Sequence, residues 1–317
     1  MTELPQSART PLISVVVLTY RRREELARTL ESVRAQSWPA HELIVVDNNS
    51  QDDTVDFLAR HFPEAKVLAL TENLGCGGRN RGVAAAQAEF VVTLDNDVRF
   101  ESPRELEYLA SAFQRKPQAS VLVFKILEDP SGRLHLRDWC HPRNHRQFSE
   151  TAFETCYIAE GACAFRRQHF LSVQGYWEPF LIGGEGWDLA LRLLDAGYRI
   201  FYCPEVRVRH AMAQETRGER RPFYRLMRNY VWTAFKDYPG WRRFQYMLYG
   251  LAVLTFFAAR SGNLTELYRG LADGLRSRHQ VPLTRVSPAG WQRVRELRAQ
   301  RPSWLLRLRT RWAQPEL

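Results

Sequence analysis

Apolar, β-branched runs alternate with helical segments along the first third of the chain, and this alternation limits the possible folds more than any other feature. Residues 13–18 form a valine-rich run, and the segment after it repeats apolar residues at helical spacing through Leu26, Leu30 and Val33. Strands of this kind that alternate with helices predict a parallel sheet covered on both faces. In such sheets, ligands bind at the carboxyl ends of the strands.

The same reading extends to residue 210, with a loop in the middle. Besides residues 13–18, strands are predicted at residues 43–46, 67–70, 90–94, 120–124, 199–202 and 206–208, and ordered structure without an assigned type is predicted at residues 159–165. Helices are predicted at residues 23–34, 80–87, 103–115 and 187–196, with one more through Val55, Phe57 and Leu58. Residues 128–155 are irregular and rich in histidine and arginine, which is typical of a substrate-contacting loop.

Length and composition narrow the class of protein. The 317 residues, 45% hydrophobic and 25% charged, predict a folded protein with one large domain or one domain and an appendage. The net charge of +10 favours polyanionic partners. Five cysteines without a CxxC pair indicate a reducing compartment. Residues 1–11 lack a signal-peptide pattern, and the longest apolar run, 244–259, is shorter than the roughly 20 residues that cross a bilayer.

Two carboxylates follow the predicted strand at residues 90–94. Asp95 and Asp97 are two positions apart, a spacing that lets one or both bind a hard divalent cation, Mn²⁺ or Mg²⁺. Such a cation bridges a diphosphate and neutralises charge as the leaving group departs. The alternative is a solvated acidic turn, which has the same letters.

Two other polar segments follow strands. Asp47 ends the second strand, where it would bind a nucleobase or ribose, or else form an Asx turn or helix cap with Ser50. The glycine-rich stretch at residues 73–82 opens a helix and carries Arg79 and Arg81, which suit phosphate. It lacks the last glycine of a dinucleotide fingerprint and follows the third strand, which argues against a Rossmann dehydrogenase.

The ordered series of these segments resembles the family 2 glycosyltransferases of the GT-A fold. The resemblance runs through residues 14–20, 45–50, 73–82 and 94–97, continues at residues 160–162, 175–180 and 185–192, and reaches Pro204 and His210. It implies a doubly wound, mixed α/β sheet and inverting transfer from a nucleoside-diphosphate sugar to an acceptor hydroxyl. A helical, basic and aromatic appendage would follow the sheet.

The resemblance also implies roles for single residues. Asp95, Asp97 and His210 match metal positions, although His210 would equally end a surface strand. The residues predicted to bind substrate are Thr19, Tyr20, Arg22, Asp47, Asn73, Gly75, Arg79, Arg81, Asp95 and Trp187.

The expected catalytic base is missing from the sequence. Many relatives carry Glu-Asp-x-Asp-Leu, with the base at the second position, but here that position is Gly186. An inverting transfer still needs a carboxylate near the acceptor hydroxyl. Glu185 is the first candidate and Asp188 the second, with capping of the helix at 187–196 as the alternative role for Asp188.

Four residues of the loop invite a zinc interpretation. Cys140, His141, His145 and Cys156 have a spacing that matches no common ligand pattern, so we do not expect a zinc site there.

The composition changes near residue 221, so we predict a catalytic domain at residues 11–221 and a helical region at residues 222–317. Aromatic residues alternate with arginines in this second region, and seven arginines lie between residues 293 and 311. This composition is typical of a segment bound to an anionic membrane surface. The alternative is a helical appendage packed on the catalytic domain. Nucleic acid is not expected, because no reader motif accompanies the charge.

These features together predict a metal-dependent, inverting glycosyltransferase on the cytoplasmic face of the cell membrane, acting in the synthesis of cell-envelope polysaccharide or glycolipid. Its acceptor would be a saccharide or a lipid-linked saccharide. The missing carboxylate at Gly186 leaves an alternative, a catalytically inactive relative that binds a nucleotide sugar or a partner protein. A nucleotide-sugar pyrophosphorylase is disfavoured, because no phosphate-cradling loop follows the first strand.

Overall fold

The computed structural model describes residues 12–211 and 222–299. Within them a mixed sheet forms the centre of the molecule. Its strands are β1 (Ile13–Thr19), β2 (His41–Asp47), β3 (Lys66–Ala69), β4 (Phe90–Asp95), β5 (Val98–Phe100), β6 (Ala119–Glu128), β7 (Phe153–Thr155), β8 (Ala162–Arg166) and β9 (Arg199–His210).

The sheet has a parallel half and a mixed half. Its order is β3-β2-β1-β4-β8-β6-β9-β5, with β7 also paired to β9. Strands β3, β2, β1 and β4 are parallel, β8 is antiparallel to β4 and β6, and β6 is parallel to β9. The prediction of a parallel sheet therefore holds for the first four strands along the chain, and the mixed sheet implied by the family resemblance is confirmed.

Helices connect and cover the strands. They are α1 (Arg23–Arg34), α2 (Thr54–His61), α3 (Gly77–Ala85), α4 (Glu105–Arg115), α5 (His145–Phe148), α6 (Arg167–Ser172), α7 (Glu185–Asp195), α8 (Pro222–Asp237), α9 (Arg242–Arg260), α10 (Leu264–Ser277) and α11 (Pro288–Arg298). Helix α1 shows why the spacing was informative, because Leu26, Leu30 and Val33 are fully buried on one face.

Several elements differ from their predicted bounds. The two short strands at 199–202 and 206–208 are a single strand, β9, whose pairing with β6 passes through an irregularity in register. Helix α3 begins at Gly77, and α7 begins at Glu185. Helix α6 and strand β5 were not predicted, and the loop at 128–155 contains α5 and β7. Short elements of this kind lack enough residues for a periodic pattern.

The C-terminal helices share the core of the sheet region. Trp232 of α8 and Trp291 of α11 belong to the same buried cluster as the strands, and a smaller cluster joins α8, α9 and α10. Within residues 12–211 and 222–299, no helix combines the length and the apolar character needed to cross a membrane. The predicted boundary at residue 221 and the arginines beyond residue 299 lie outside the described residues.

Candidate active site

The carboxyl ends of three parallel strands meet at one edge of the sheet. Thr19 pairs in register with Asp47, and Leu18 of the same strand pairs with Asp95. This register brings the polar ends of β1, β2 and β4 side by side, where sheets of this type bind ligands. The sequence-predicted residues Thr19, Asp47 and Asp95 are therefore neighbours at one edge.

The two carboxylates after β4 are each paired with an arginine. Asp95 forms an ion pair with Arg79, whose side chain is buried, while the Asp95 side chain is 38% exposed. Asp97 Oδ2 accepts from Arg22 Nη1 at 2.8 Å, and its Oδ1 lies 3.7 Å from Nε2 of His210. The site thus places two carboxylates, two guanidinium groups and one imidazole around the same short turn.

Gly161 lets the backbone of the following strand approach Asp95. A Cβ atom on residue 161 would collide with the Asp95 carboxylate and lie 2.7 Å from Oδ1. The amide of Asp95 also donates to the carbonyl oxygen of Gly161 at 3.3 Å. The close approach at Gly161, just before the neighbouring strand β8, therefore limits where the Asp95 side chain can lie.

His210 is oriented by a carboxylate from the loop. Its Nδ1 lies 2.9 Å from Oδ2 of Asp138, which also lies 3.0 Å from Nδ1 of His135. Among the described residues, His135, Asp138 and His210 form a group whose ligand atoms are close enough to hold a metal ion. Because Nδ1 of His210 is hydrogen-bonded to Asp138, its other nitrogen, Nε2, faces Asp97. Metal-binding histidines are commonly oriented in this way, by a carboxylate that does not itself bind the metal.

The charged groups around this turn shift one another's pKa values. Burial opposes the imidazolium form of His210, but the hydrogen bond and charge of Asp138, followed by Asp97, raise the pKa of His210 to about 9. Burial and the charge of Asp95 raise the pKa of Asp97, while His210 and Arg22 act in the opposite direction. His210 and Arg22 therefore supply the positive charge that the Asp97 carboxylate needs.

The residues at the ends of β1 and β2 are held by internal bonds. Asp47 is 4% exposed, and its carboxylate accepts from the hydroxyl and, at 3.3 Å, the amide of Ser50, which is the Asx turn given above as an alternative. Thr19 is fully buried, with its hydroxyl 3.0 Å from the side-chain amide of Asn96. Tyr20 is 41% exposed and lies beside these residues.

The glycine-rich segment forms a tight turn before α3. Asn73 Oδ1 accepts from the amide of Gly75 at 2.9 Å, and Nδ2 of Asn48 donates to the carbonyl of Gly75 at 3.2 Å. Arg79 points from α3 to Asp95, whereas Arg81 is exposed and pairs with Glu178 at 2.9 Å. Of the two arginines, Arg79 is the one that contacts an acidic residue of the site.

Glu185 begins α7 as a buried carboxylate. It is 5% exposed, and its Oε2 has no hydrogen-bond partner among the described residues. Burial, followed by the charge of the neighbouring Glu160, raises the pKa of Glu185 to about 8. Sequence reasoning did not assign Glu160 a role, and its only signal was its position beside Gly161 in a segment shared with the family.

Asp188 lies one turn further along the same helix, and both of its carboxylate oxygens form ion pairs. It is fully buried, Oδ1 pairs with Lys236 of α8, and Oδ2 accepts from Nε and Nη2 of Arg192 at 3.0 and 2.6 Å. Neither oxygen is free to accept a proton from a substrate, and Gly184, not Asp188, occupies the cap position of α7. The contacts of Asp188 are those of a structural ion pair that fixes α8 on α7.

Trp187 also contacts the C-terminal region. Its Nε1 donates to the hydroxyl of Tyr238 at 3.2 Å, and the guanidinium of Arg298 lies 5.5 Å from its ring. Trp187 therefore packs between α7 and the helices that follow residue 221.

The loop residues considered for zinc lie outside the metal-capable group of the described residues. His141 is buried among aromatic rings with Nδ1 3.0 Å from the hydroxyl of Thr155, and burial lowers its pKa to about 3. In residues 12–211 and 222–299, the metal-capable group uses His135 and Asp138 and none of Cys140, His141, His145 and Cys156.

The mixed sheet and its covering helices have the GT-A fold. The mannosyltransferase PcManGT from Pyrobaculum calidifontis, solved in complex with GDP-Man and Mn²⁺, is similar over 96% of this chain and 84% of its own, with a TM-score of 0.57 and 21% identity.

The family model of glycosyl transferase family 2 matches residues 14–173, and the chain belongs to this family. The resemblance inferred from the ordered motifs is thereby confirmed.

Curated relatives include two rhamnosyltransferases. The O-antigen chain rhamnosyltransferase WbaN of Salmonella anatum is 29% identical over 195 residues, which are 58% of this chain and 60% of that protein. The N-acetylglucosaminyl-diphospho-decaprenol L-rhamnosyltransferase of Mycobacterium tuberculosis is 26% identical over 242 residues, or 65% of this chain and 78% of that protein. The chain thus spans less than two thirds of the length of WbaN.

Proposed function

We propose that this protein is an inverting, metal-dependent glycosyltransferase that moves a sugar from a nucleoside-diphosphate sugar to an acceptor hydroxyl. The observation that carries the proposal is the turn after β4, where Asp95 and Asp97 lie beside Arg79, Arg22 and His210. Membership of glycosyl transferase family 2 supports the same reaction class. The names of the relatives support a role in cell-envelope polysaccharide or glycolipid synthesis.

The donor site would extend along the edge of the sheet. Tyr20 and Asp47 would contact the nucleoside. The side chain of Thr19 is buried, so Thr19 would support this site from inside the protein and not touch the nucleoside. The remaining residues proposed for the donor are Arg22, Asn73, Gly75, Arg79, Arg81, Asp95 and Trp187. On donor binding, Arg22 and Arg79 would exchange their present carboxylate partners for phosphate oxygens. Carboxylate and phosphate oxygens are both strong acceptors for guanidinium groups.

The residues after β4 would supply ligands to a divalent cation, although the ligand atoms that already lie close together belong to His135, Asp138 and His210. Asp95 and Asp97 offer the oxygen ligands that Mg²⁺ and Mn²⁺ prefer, and His210 offers a nitrogen that suits Mn²⁺ better than Mg²⁺. The carboxylate of Asp138 holds His210 with Nε2 facing Asp97. When bound, the cation would neutralise charge on the diphosphate leaving group.

The protein's own residues would position the reacting groups. Asp95 and Arg79 would fix the diphosphate end of the donor. The start of α7 lies close to them, because a Cβ on Gly186 of α7 would meet Glu160, and a Cβ on the next residue, Gly161, would meet Asp95. A carboxylate in this region would accept the proton of the acceptor hydroxyl, and Glu185 is the base expected from sequence. Asp188 would instead hold α7 in place.

The acceptor would be a saccharide or a lipid-linked saccharide. The name of the Mycobacterium tuberculosis relative includes a diphospho-decaprenol, which is a lipid. A chain that uses such an acceptor must work at a membrane surface. We therefore extend the proposal to a cytoplasmic protein bound to the inner face of the cell membrane.

Helix α9 has the features of an interfacial helix. Residues 244–259 contain no charged residue, and Phe244, Leu248 and Phe256 along the helix are 58%, 67% and 45% exposed. Trp241, just before the helix, is 65% exposed, and Arg242 and Arg260 lie at its two ends. An exposed apolar face bounded by arginines complements an acidic lipid surface.

Replacing Leu248 by glutamate is expected to weaken membrane binding roughly tenfold, because a buried leucine contributes about 1.5–3 kcal/mol and the new charge is repelled by anionic lipid. Flotation with phosphatidylcholine vesicles, with and without phosphatidylglycerol, would measure the bound fraction. Leu171→Glu, at a leucine of α6 that is 39% exposed, is the matched control and should bind as the wild type does. A wild-type protein that stays unbound with both vesicles would disprove the membrane proposal.

A panel of nucleoside-diphosphate sugars with Mn²⁺ tests the activity itself. One donor should raise the melting temperature only when Mn²⁺ is present, and the same donor should be consumed when an acceptor is added. Donor binding without donor consumption would favour the alternative, a catalytically inactive relative. That alternative is motivated by Gly186, which has no side chain to act as a base. Consumption that requires added pyrophosphate and forms a nucleoside triphosphate and a sugar 1-phosphate would instead indicate a pyrophosphorylase.

A further inference from the structure

The space beside Gly186 is filled by a carboxylate from another segment. A Cβ atom on residue 186 would collide with Oε1 of Glu160, and it would lie 2.7 Å from Cδ of Glu160 and 2.9 Å from the carbonyl oxygen of Ile158. No side chain fits at residue 186 while Glu160 keeps its position. The acidic group missing from the helix is therefore replaced in space by one from the segment that precedes β8.

Glu160 is held against both the helix and the acidic turn. The amide of Gly186, in the first turn of α7, donates to the Glu160 carboxylate, and the positive end of the helix favours a negative charge there. The carbonyl oxygen of Glu160 accepts from the hydroxyl of Thr93 in β4 at 2.7 Å. The next residue, Gly161, abuts Asp95. Glu160 thus lies between the start of α7 and the proposed donor site.

The two neighbouring glutamates differ in access. Glu160 is half-buried, whereas Glu185 is 5% exposed and has an oxygen without a partner among the described residues. Two adjacent buried carboxylates do not both ionise readily. Burial and the charge of Glu160 raise the pKa of Glu185 to about 8. Burial also raises the pKa of Glu160, which suits a general base, and Glu160 is the more accessible member of the pair.

We propose that Glu160, placed in the space left by Gly186, is the catalytic base of the transfer. This inference rests on the proposed function. The acceptor hydroxyl gives its proton to the Glu160 carboxylate while its oxygen bonds to the anomeric carbon of the donor. The bond from that carbon to the diphosphate breaks, and the nucleoside diphosphate leaves with the electron pair. Glu185, the first residue of α7, is a positioning residue for Glu160.

Glu160→Gln is expected to lower kcat of sugar transfer by about 10²- to 10⁴-fold, the range for loss of a general base. The Kd of the donor with Mn²⁺, measured by calorimetry, should not change, because the base contacts the acceptor. Glu64→Gln, at an exposed glutamate before β3, is the control and should transfer as the wild type does. Thermal unfolding of each variant would confirm that the fold is retained.

Moving the carboxylate back to the helix is the decisive variant. Gly186→Asp alone should be poorly folded, because its Cβ meets Glu160. The double variant Glu160→Ala/Gly186→Asp places an acid in the vacated space once the carbonyl oxygen of Ile158, 2.9 Å from the new Cβ, shifts by a few tenths of an ångström. It should recover at least about tenfold of the kcat lost in Glu160→Ala.

The outcomes separate the two proposals. If the wild type transfers sugar and Glu160→Gln keeps its kcat, the base assignment is wrong and the proposed function stands. Equal losses in Glu160→Gln and Glu185→Gln, with no recovery in the double variant, would also overturn it. A wild-type protein that consumes no donor of the panel would overturn the proposed function and the base assignment together.

Discussion

Replacing Asp97 by asparagine is expected to reduce sugar transfer by on the order of 10²- to 10³-fold, the loss seen when one preorganised electrostatic contact is removed from a reacting charge. Asp97 lies between Arg22 at 2.8 Å and His210 at 3.7 Å, so its charge organises both neighbours. The amide of asparagine is a much weaker ligand for a hard cation than a carboxylate. The Mn²⁺ concentration for half-maximal turnover should therefore rise as the maximal rate falls.

The measurement is turnover of the donor as a function of Mn²⁺ concentration. Asp56→Asn, at an exposed aspartate of α2, is the matched control, because it removes the same charge outside the proposed site. An Asp97→Asn protein with the wild-type rate and the wild-type Mn²⁺ dependence would exclude Asp97 from the cation site. A control that lost as much activity would show that the effect is one of net charge.

Replacing Lys236 by methionine is expected to destabilise the protein by about 3–5 kcal/mol, the cost of removing one partner of a buried ion pair. Lys236 pairs with Asp188, and its Nζ lies 3.3 Å from Asp237 and 2.8 Å from the hydroxyl of Thr284. Both aspartates are fully buried. Arg192 still contacts Asp188 in the variant, but Oδ1 of Asp188 loses its cation. Burial and the charge of Asp188 raise the pKa of Asp237 well above its usual value, so Asp188 is the member of the pair that needs Lys236.

Chemical denaturation of the full chain would measure this loss of unfolding free energy. Lys66→Met, at an exposed lysine of β3, should change stability by no more than about 0.5 kcal/mol. A loss below about 1 kcal/mol for Lys236→Met would contradict the structural role of the ion pair.

The same experiment examines the predicted division at residue 221. Because Lys236 belongs to α8 and Asp188 to α7, the two regions should unfold in one transition that moves as a whole in the variant. Two transitions, with only the later helices affected, would support residues 222–317 as a separate domain. The shared core around Trp232 and Trp291 favours the single transition.

Much of the sheet and of the donor edge was predictable from sequence. Strands β1, β2 and β4 are mostly apolar. Each ends in a polar residue, one position after the last residue of the apolar run in the sequence. Parallel pairing then places Asp47 and Asp95 on one edge without further information. Hydrophobic periodicity is local, so it survives in the sequence alone.

The partners of these residues were not predictable. Asp138 belongs to an irregular loop, yet it orients His210 through Nδ1, and Lys236 reaches back from the C-terminal region to Asp188. Neither contact leaves a pattern in the sequence, because residues far apart along the chain meet only when the fold is complete. Asp188 therefore resembled a base in its motif and is a buried ion pair in the structure.

By itself, the sequence determined the parallel strands, the family and the acidic turn Asp95-Asn96-Asp97, because periodicity, strand ends and motif order are properties of neighbouring residues. It left an acid missing at Gly186. Only the tertiary structure decided what fills that position, since the Glu160 carboxylate arrives from a different segment and takes the space that a side chain would need. Steric exclusion between distant segments is a property of the packed chain, which no local pattern records.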